Sequence, residues 1–190
     1  LYLFGIVCST VERWRQQYGK EISISVNLNE CAFNYEFFFN DYKEVYERNP
    51  CRKDCIEFEL LESIILNQVE QVNRVVNDIT QFGFTCSVDD FGSGYSSYSV
   101  LTNPLITTLK IDRSLFRNEN DLREKTLIRY IIQTAKELNM TTVAEGIETK
   151  EYVDFLKELG CDYVQGFYYY KPMSVEDFEE LFVKNPITSA

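Results

Sequence analysis

Strand-like and helix-like stretches alternate along this 190-residue chain, which predicts an α/β fold with a parallel sheet wrapped by helices. Three observations carry the prediction. Six short runs rich in β-branched or aromatic residues recur: ISISVN (22–27), CIEFE (55–59), FTCSVDD (84–90), ITTLK (106–110), TTVAE (141–145) and DYVQ (162–165). Most are separated by segments of helical length and period. Each also closes on a residue able to do chemistry: Asn27, Glu59, Asp89 with Asp90, Lys110, Glu145 and Gln165. Ligands of such sheets gather beyond the carboxyl ends of the strands, so these residues are expected on one rim. A closed eight-stranded barrel takes about 250 residues. Six units therefore read as a TIM-like β/α barrel, incomplete at the amino end with six of about eight strands, in a single domain over residues 1–190. Open sheet edges invite pairing, so upstream residues or a neighbouring chain are expected to cover the gap.

The elements follow in order. Residues 1–18 read as an amphipathic helix with its apolar stripe on Leu3, Ile6, Val7, Val11 and Trp14, and no capping residue precedes it. Residues 30–48 form a second helix whose Phe33, Phe37 and Phe38 pack on the sheet, ended by Asn49-Pro50. A third, 65–81, carries Val69, Val72, Val76 and Ile79 on one face and is capped by Gly83. The fourth, 121–139, starts at the N-cap Asp121; the fifth, 149–159, lies between a capping Thr149 and Gly160; the last, 174–183, follows Pro172.

Composition narrows the function. The formal net charge of −11 argues against a DNA or RNA partner, since binding a phosphate backbone needs clustered Lys and Arg. A small phosphorylated ligand remains compatible where metal ions supply the positive charge. No apolar stretch approaches the roughly 20 residues of a membrane span and no signal-peptide pattern opens the chain, so a cytoplasmic location is expected, with any membrane tether lying outside this stretch. The six cysteines follow no disulfide spacing, and Cys51 with Cys55 finds no histidine or second Cys pair for zinc; reduced thiols are expected.

Without histidine, the rim offers carboxylate and amide oxygens, which suit Mg2+, Mn2+ or Ca2+. Adjacent Asp89 and Asp90 repel unless a cation lies between them, which marks a metal site. A carboxylate bridging two ions is one way to clamp both oxygens of a phosphate ester during hydrolysis, and Lys110 could orient the attacking water or steady charge on the phosphate. The alternative for Lys110 is a structural salt bridge. Glycines 92 and 94 behind the Asp pair let the backbone turn sharply or approach a ligand.

Six segments, SVNLN (25–29), FELLES (58–63), VDDFGSGYSS (88–97), LKIDRSLF (109–116), VAEGIET (143–149) and GCDYVQGFYYYKPM (160–173), resemble in order and spacing the EAL-type phosphodiesterases that hydrolyse the bacterial messenger cyclic di-GMP. The resemblance implies that Asn27, Glu59 and Asp89 hold one metal, that Asp89 bridges to a second, and that Asp90 and Glu145 complete it. It makes Lys110, Glu145 and Asp89 catalytic, places Gln165 in the substrate site, gives Glu62 the anchoring of the loop after the aspartates, and ties Glu148 to that loop and to dimer contacts. It further implies a two-metal Mg2+ or Mn2+ cofactor with Ca2+ as an inhibitor, the linear product pGpG, a homodimer, and a GGDEF or sensor domain in the full-length protein. The Glu-Ala-Leu segment and the strand before it have no counterpart here, so the isolated 190 residues are expected to be inactive for want of one ligand. Smaller departures are Asn29, Leu61, Ser93, Thr107 and the early Pro104. Two functions follow: a metal-dependent cyclic di-GMP phosphodiesterase, or a catalytically inactive domain serving as cyclic di-GMP receptor or protein-interaction module.

Overall fold

The computed structural model describes residues 1–28, 38–94 and 98–183. Its six strands, β1 (Ile24–Asn27), β2 (Ile56–Leu61), β3 (Thr85–Phe91), β4 (Thr108–Ile111), β5 (Thr141–Ala144) and β6 (Tyr163–Val164), lie in chain order in one all-parallel sheet. The sheet curls into an incomplete barrel, and residues of β1 and of the segment after β6 line one cleft. Helices α1 (Tyr2–Tyr18), α2 (Phe38–Arg48), α3 (Glu62–Asn67), α4 (Val69–Phe82), α5 (Leu122–Glu137), α6 (Lys150–Leu159) and α7 (Val175–Phe178) supply the connections and the outer cover.

Side chains alternate along a strand, and here the alternation separates an oily layer from a polar one. Ile56, Phe58 and Leu60 of β2, Cys86 and Val88 of β3, and Leu109 and Ile111 of β4 are buried, as are Val72, Val76 and Ile79 of α4 and Ile128, Ile132 and Ala135 of α5. Phe4 of α1 meets Phe58 at 5.5 Å, and Phe58 meets Phe84 at 5.4 Å. Cutting Phe58 back to alanine would cost about 3–5 kcal/mol. The opposite set, Ser25, Asn27, Glu57, Glu59, Ser87, Asp89, Thr108 and Lys110, faces the barrel interior. Glu57 there accepts hydrogen bonds from Ser25 Oγ at 3.1 Å and Thr108 Oγ1 at 2.6 Å.

Several local expectations meet their residues. Asp121 accepts from the backbone N–H of Arg123 and Glu124, Thr149 from that of Tyr152, and Gly83 and Gly160 take left-handed conformations at the ends of α4 and α6. Others need correction. In α1 the buried stripe is Phe4, Cys8, Val11 and Trp14, while Leu3 is 64% exposed and Ile6 is exposed too, because Phe4 rather than Leu3 enters the aromatic cluster. The helix expected at 65–81 is two, α3 and α4, broken at Gln68, whose φ of −135° and ψ of 46° are not helical; Val69 after the break is 53% exposed. The last helix is one turn, α7, continued by a π-helical turn at Glu179–Val183. That segment is tied to α1 by the Trp14 indole N–H donating to Glu179 at 2.9 Å and by Trp14 stacking on Phe178. Phe33, Phe37 and Asn29 lie outside the described residues, as does 30–37 of the expected second helix.

Candidate active site

The rim forms because parallel strands in register carry their polar ends to one level. Asn27 pairs with Glu59 between β1 and β2, and Lys110 pairs with Val143 between β4 and β5. Glu145 follows the end of β5 and Gln165 the end of β6. β2 continues two residues beyond Glu59, so this carboxylate is set below the lip and is buried.

Asp89 and Asp90 are consecutive, and in a regular strand they would face opposite sides. The chain avoids this through an irregularity. The register of β3 against β4 shifts between Val88 and Phe91, and Asp90 adopts φ 56°, the left-handed region that Asp enters more easily than most residues. Carboxylate oxygens of Asp89, Asp90 and Glu145 consequently lie within 4.8 Å of one another.

Lys110 sits among the acids, 7% exposed. Its ammonium is 2.7 Å from Glu59 Oε1, 3.1 Å from Asp89 Oδ1 and 2.6 Å from Glu145 Oε1. Burial works against its charge, but the hydrogen bonds to Glu145 and Glu59 outweigh that and hold its pKa above the usual lysine range. Burial pushes the Glu145 carboxyl up, reinforced by Asp89 and Glu59 and opposed by Lys110. Burial likewise raises Asp90, with Asp89 and Asp112 adding repulsion and Lys110 and Arg113 opposing it. One lysine does not neutralise this many acids. A divalent cation at Asp89, Asp90 and Glu145 would, and the all-oxygen donor set suits a hard ion.

The rim loops are locked to each other. Glu62 accepts from the Gly92 N–H at 3.2 Å, tying the loop after the aspartates to the start of α3. A Cβ on Gly92 would lie 2.4 Å from Leu115 Cδ1, and one on Gly146 would lie 2.4 Å from Arg113 Cβ. The turn Arg113–Leu115, in which Asp112 accepts from the Ser114 N–H, is thus pressed between the loops that follow β3 and β5. Gly166 is packed closer still, since a Cβ there would reach Ile147 O at 2.1 Å.

Of the residues singled out from sequence, Glu59, Asp89 and Glu145 converge on Lys110, and Asp90 joins Asp89 and Glu145. Gln165 and Glu148 line the adjoining cleft of about 840 Å3 together with Glu59 and Lys110. Asn27 is exposed at the end of β1, in register with Glu59. Arg113, Gly146 and the interior Glu57 went unremarked in the sequence. Arg113 could have been found from its place directly behind the strand end that carries Lys110, and Glu57 from the two-residue alternation that puts it on the face of Glu59.

Comparison with known proteins gives a consistent picture. The family model described as EAL domain matches residues 1–172. The chain is 28% identical over 186 residues to the signaling protein YkoW of Bacillus subtilis, covering 97% of this chain and 23% of that protein. It is 30% identical over 177 residues to the cyclic di-GMP phosphodiesterase PdeR of Escherichia coli, covering 93% of this chain and 27% of that one. The chain therefore spans about a quarter of the length of these relatives. Among solved structures, the EAL domain of Mycobacterium smegmatis DcpA superposes with a TM-score of 0.87 at 26% identity, covering 96% of this chain and 83% of that one. The PaMucR phosphodiesterase in complex with c-di-GMP gives 0.86 at 27% identity over 93% of this chain and 72% of its own.

Proposed function

The chain belongs to the EAL domain family, and from that premise we propose that the native protein containing it hydrolyses cyclic di-GMP to linear pGpG in a metal-dependent reaction. The observation that carries the proposal is the convergence of Glu59, Asp89 and Glu145 on Lys110, with Asp90 folded in beside them. In this reading Asn27, Glu59, Asp89, Asp90 and Glu145 would hold Mg2+ or Mn2+. When bound, such ions acidify a coordinated water and neutralise charge on the phosphate. Lys110, fixed by its carboxylates, orients the attacking water and opposes the charge that develops on phosphorus-bound oxygens. Glu145, beside Lys110 at 2.6 Å, takes the proton the water loses. Water adds at one phosphorus, the bond from that phosphorus to O3′ breaks, O3′ takes a proton from solvent to become a hydroxyl, and the ring opens with a 5′-phosphate on one guanosine. Gln165 contacts the substrate from the cleft, while Glu62 holds the loop behind the aspartates.

The same reading includes Ca2+ as an inhibitor, a homodimer to whose contacts Glu148 contributes, a cytoplasmic site of action and a GGDEF or sensor domain elsewhere in the native protein. No helix among the described residues is long and apolar enough to cross a membrane. The test is hydrolysis by the native protein with Mg2+ or Mn2+, following pGpG chromatographically. Tight binding of cyclic di-GMP without any pGpG would replace the enzyme by a receptor.

A further inference from the structure

The cleft that holds Lys110 and Gln165 adjoins a polar hollow of about 470 Å3 lined by Arg117, Asn118, Asn120 and Thr149 among others. Arg113, Gly146 and Glu148 line both. Arg113 therefore stands on the saddle between the acidic centre and a second, polar space. Its stem lies against Gly146, where any larger residue would collide with it, and Gly146 directly follows Glu145. The Asp112 cap fixes the turn on which Arg113 is carried.

Three cations line the cleft, and two are engaged. Lys110 is held by three carboxylates, and Lys171 lies over the Phe167 ring at 5.7 Å. Among the described residues, no hydrogen bond, ion pair or ring contact engages the Arg113 guanidinium, although its field reaches Asp90. In a chain with 30 acidic residues, a guanidinium placed beside an acidic centre and left without a carboxylate is available to an anion from outside.

We infer that Arg113 is a substrate-positioning residue that grips the second, non-reacting phosphodiester of the bound cyclic dinucleotide, an inference that rests on the function proposed above. A cyclic dinucleotide brings two phosphodiesters, and the acidic centre, with its metal, can answer only one. The other meets a mouth of net negative charge unless a cation faces it. A guanidinium presents a planar fork of donors that fits two phosphate oxygens at once, which an ammonium does not.

The test is calorimetric titration of cyclic di-GMP, with Ca2+ present, into this chain and its Arg113→Gln and Arg113→Lys variants, paired with KM and kcat of the native protein. Arg113 is exposed, so thermal midpoints should match the parent. Loss of a charged contact should raise Kd and KM about tenfold in Arg113→Gln, with kcat within twofold. Arg113→Lys should recover only part of that loss, since it keeps the charge and loses the fork. Parent binding with an unchanged Arg113→Gln would overturn the inference while leaving the proposed function intact. Equal losses in both variants would also overturn it, since retained charge should help at a phosphate. Absence of binding by both the parent chain and the native protein would instead remove the functional reading on which the inference stands.

Discussion

Replacing Lys110 by methionine isolates what the buried charges do, independent of any turnover. The variant keeps much of the side-chain volume and removes the ammonium, leaving Glu59, Asp89 and Glu145 facing one another around the space it occupied. At an effective dielectric constant of about 20, each of the three contacts, at 2.6, 2.7 and 3.1 Å, is a gross attraction of roughly 5–6 kcal/mol. Desolvation and repulsion among the carboxylates offset most of this, and breaking a buried pair typically costs about 3–5 kcal/mol. For a domain of this size that lowers the melting midpoint by roughly 6–20 °C, measured by circular dichroism in EDTA. Two recoveries should follow. Mg2+ or Mn2+ at one hundred times the variant's Kd returns about 2.7 kcal/mol, and the parent at that same concentration gains less, because its lysine competes with the ion for the carboxylates and raises its Kd. Adding Glu145→Gln removes one of the surplus acids and should restore part of the stability. A Lys110→Met protein that melts with the parent and ignores divalent cations would refute this account of the charge cluster.

Three more outcomes are expected. Asp89→Asn in the native protein should reduce cyclic di-GMP hydrolysis roughly 100-fold or more, by steady-state kinetics; an unchanged rate would contradict its role as shared ligand. Gly166→Ala, whose new methyl would overlap the Ile147 backbone rather than a movable side chain, should destabilise by about 3 kcal/mol in urea titration. Burial pushes the Cys86 thiol up to about 12, from an unfolded value of 9.0. Because the folded state holds this proton more tightly, its contribution is complete below pH 9 and fades as pH rises toward 12. Cys86→Ala should therefore lose less stability than the parent between those pH values, at the cost of a small cavity.

The barrel was legible because its signals are local and repeated. A run such as TTVAE is a strand by composition and a rim position by its last residue, and Thr149 and Gly160 bracket a helix by cap chemistry alone. The metal-prone trio was legible for the same reason, as strand ends in a parallel sheet share a level. What escaped depends on tertiary packing. The face of α1 that turns inward is set by the aromatic cluster of Phe4, Tyr42 and Phe58, residues far apart in the chain. The break at Gln68 has no Gly or Pro to announce it. Arg113 draws its meaning from Gly146, 33 positions away (146 minus 113), and becomes visible only once β4 and β5 are side by side.

Neighbours in this sheet are also successive in synthesis, from β1 to β6. The rim is therefore assembled in the order in which the ribosome delivers it. A nascent chain released as far as residue 140 already holds Glu59, Asp89 and Lys110 but not Glu145, so its lysine has two of three counter-charges and its aspartates lack their third oxygen donor. The trio of Asp89, Asp90 and Glu145 is therefore the last part of the rim to be completed, with the fifth strand.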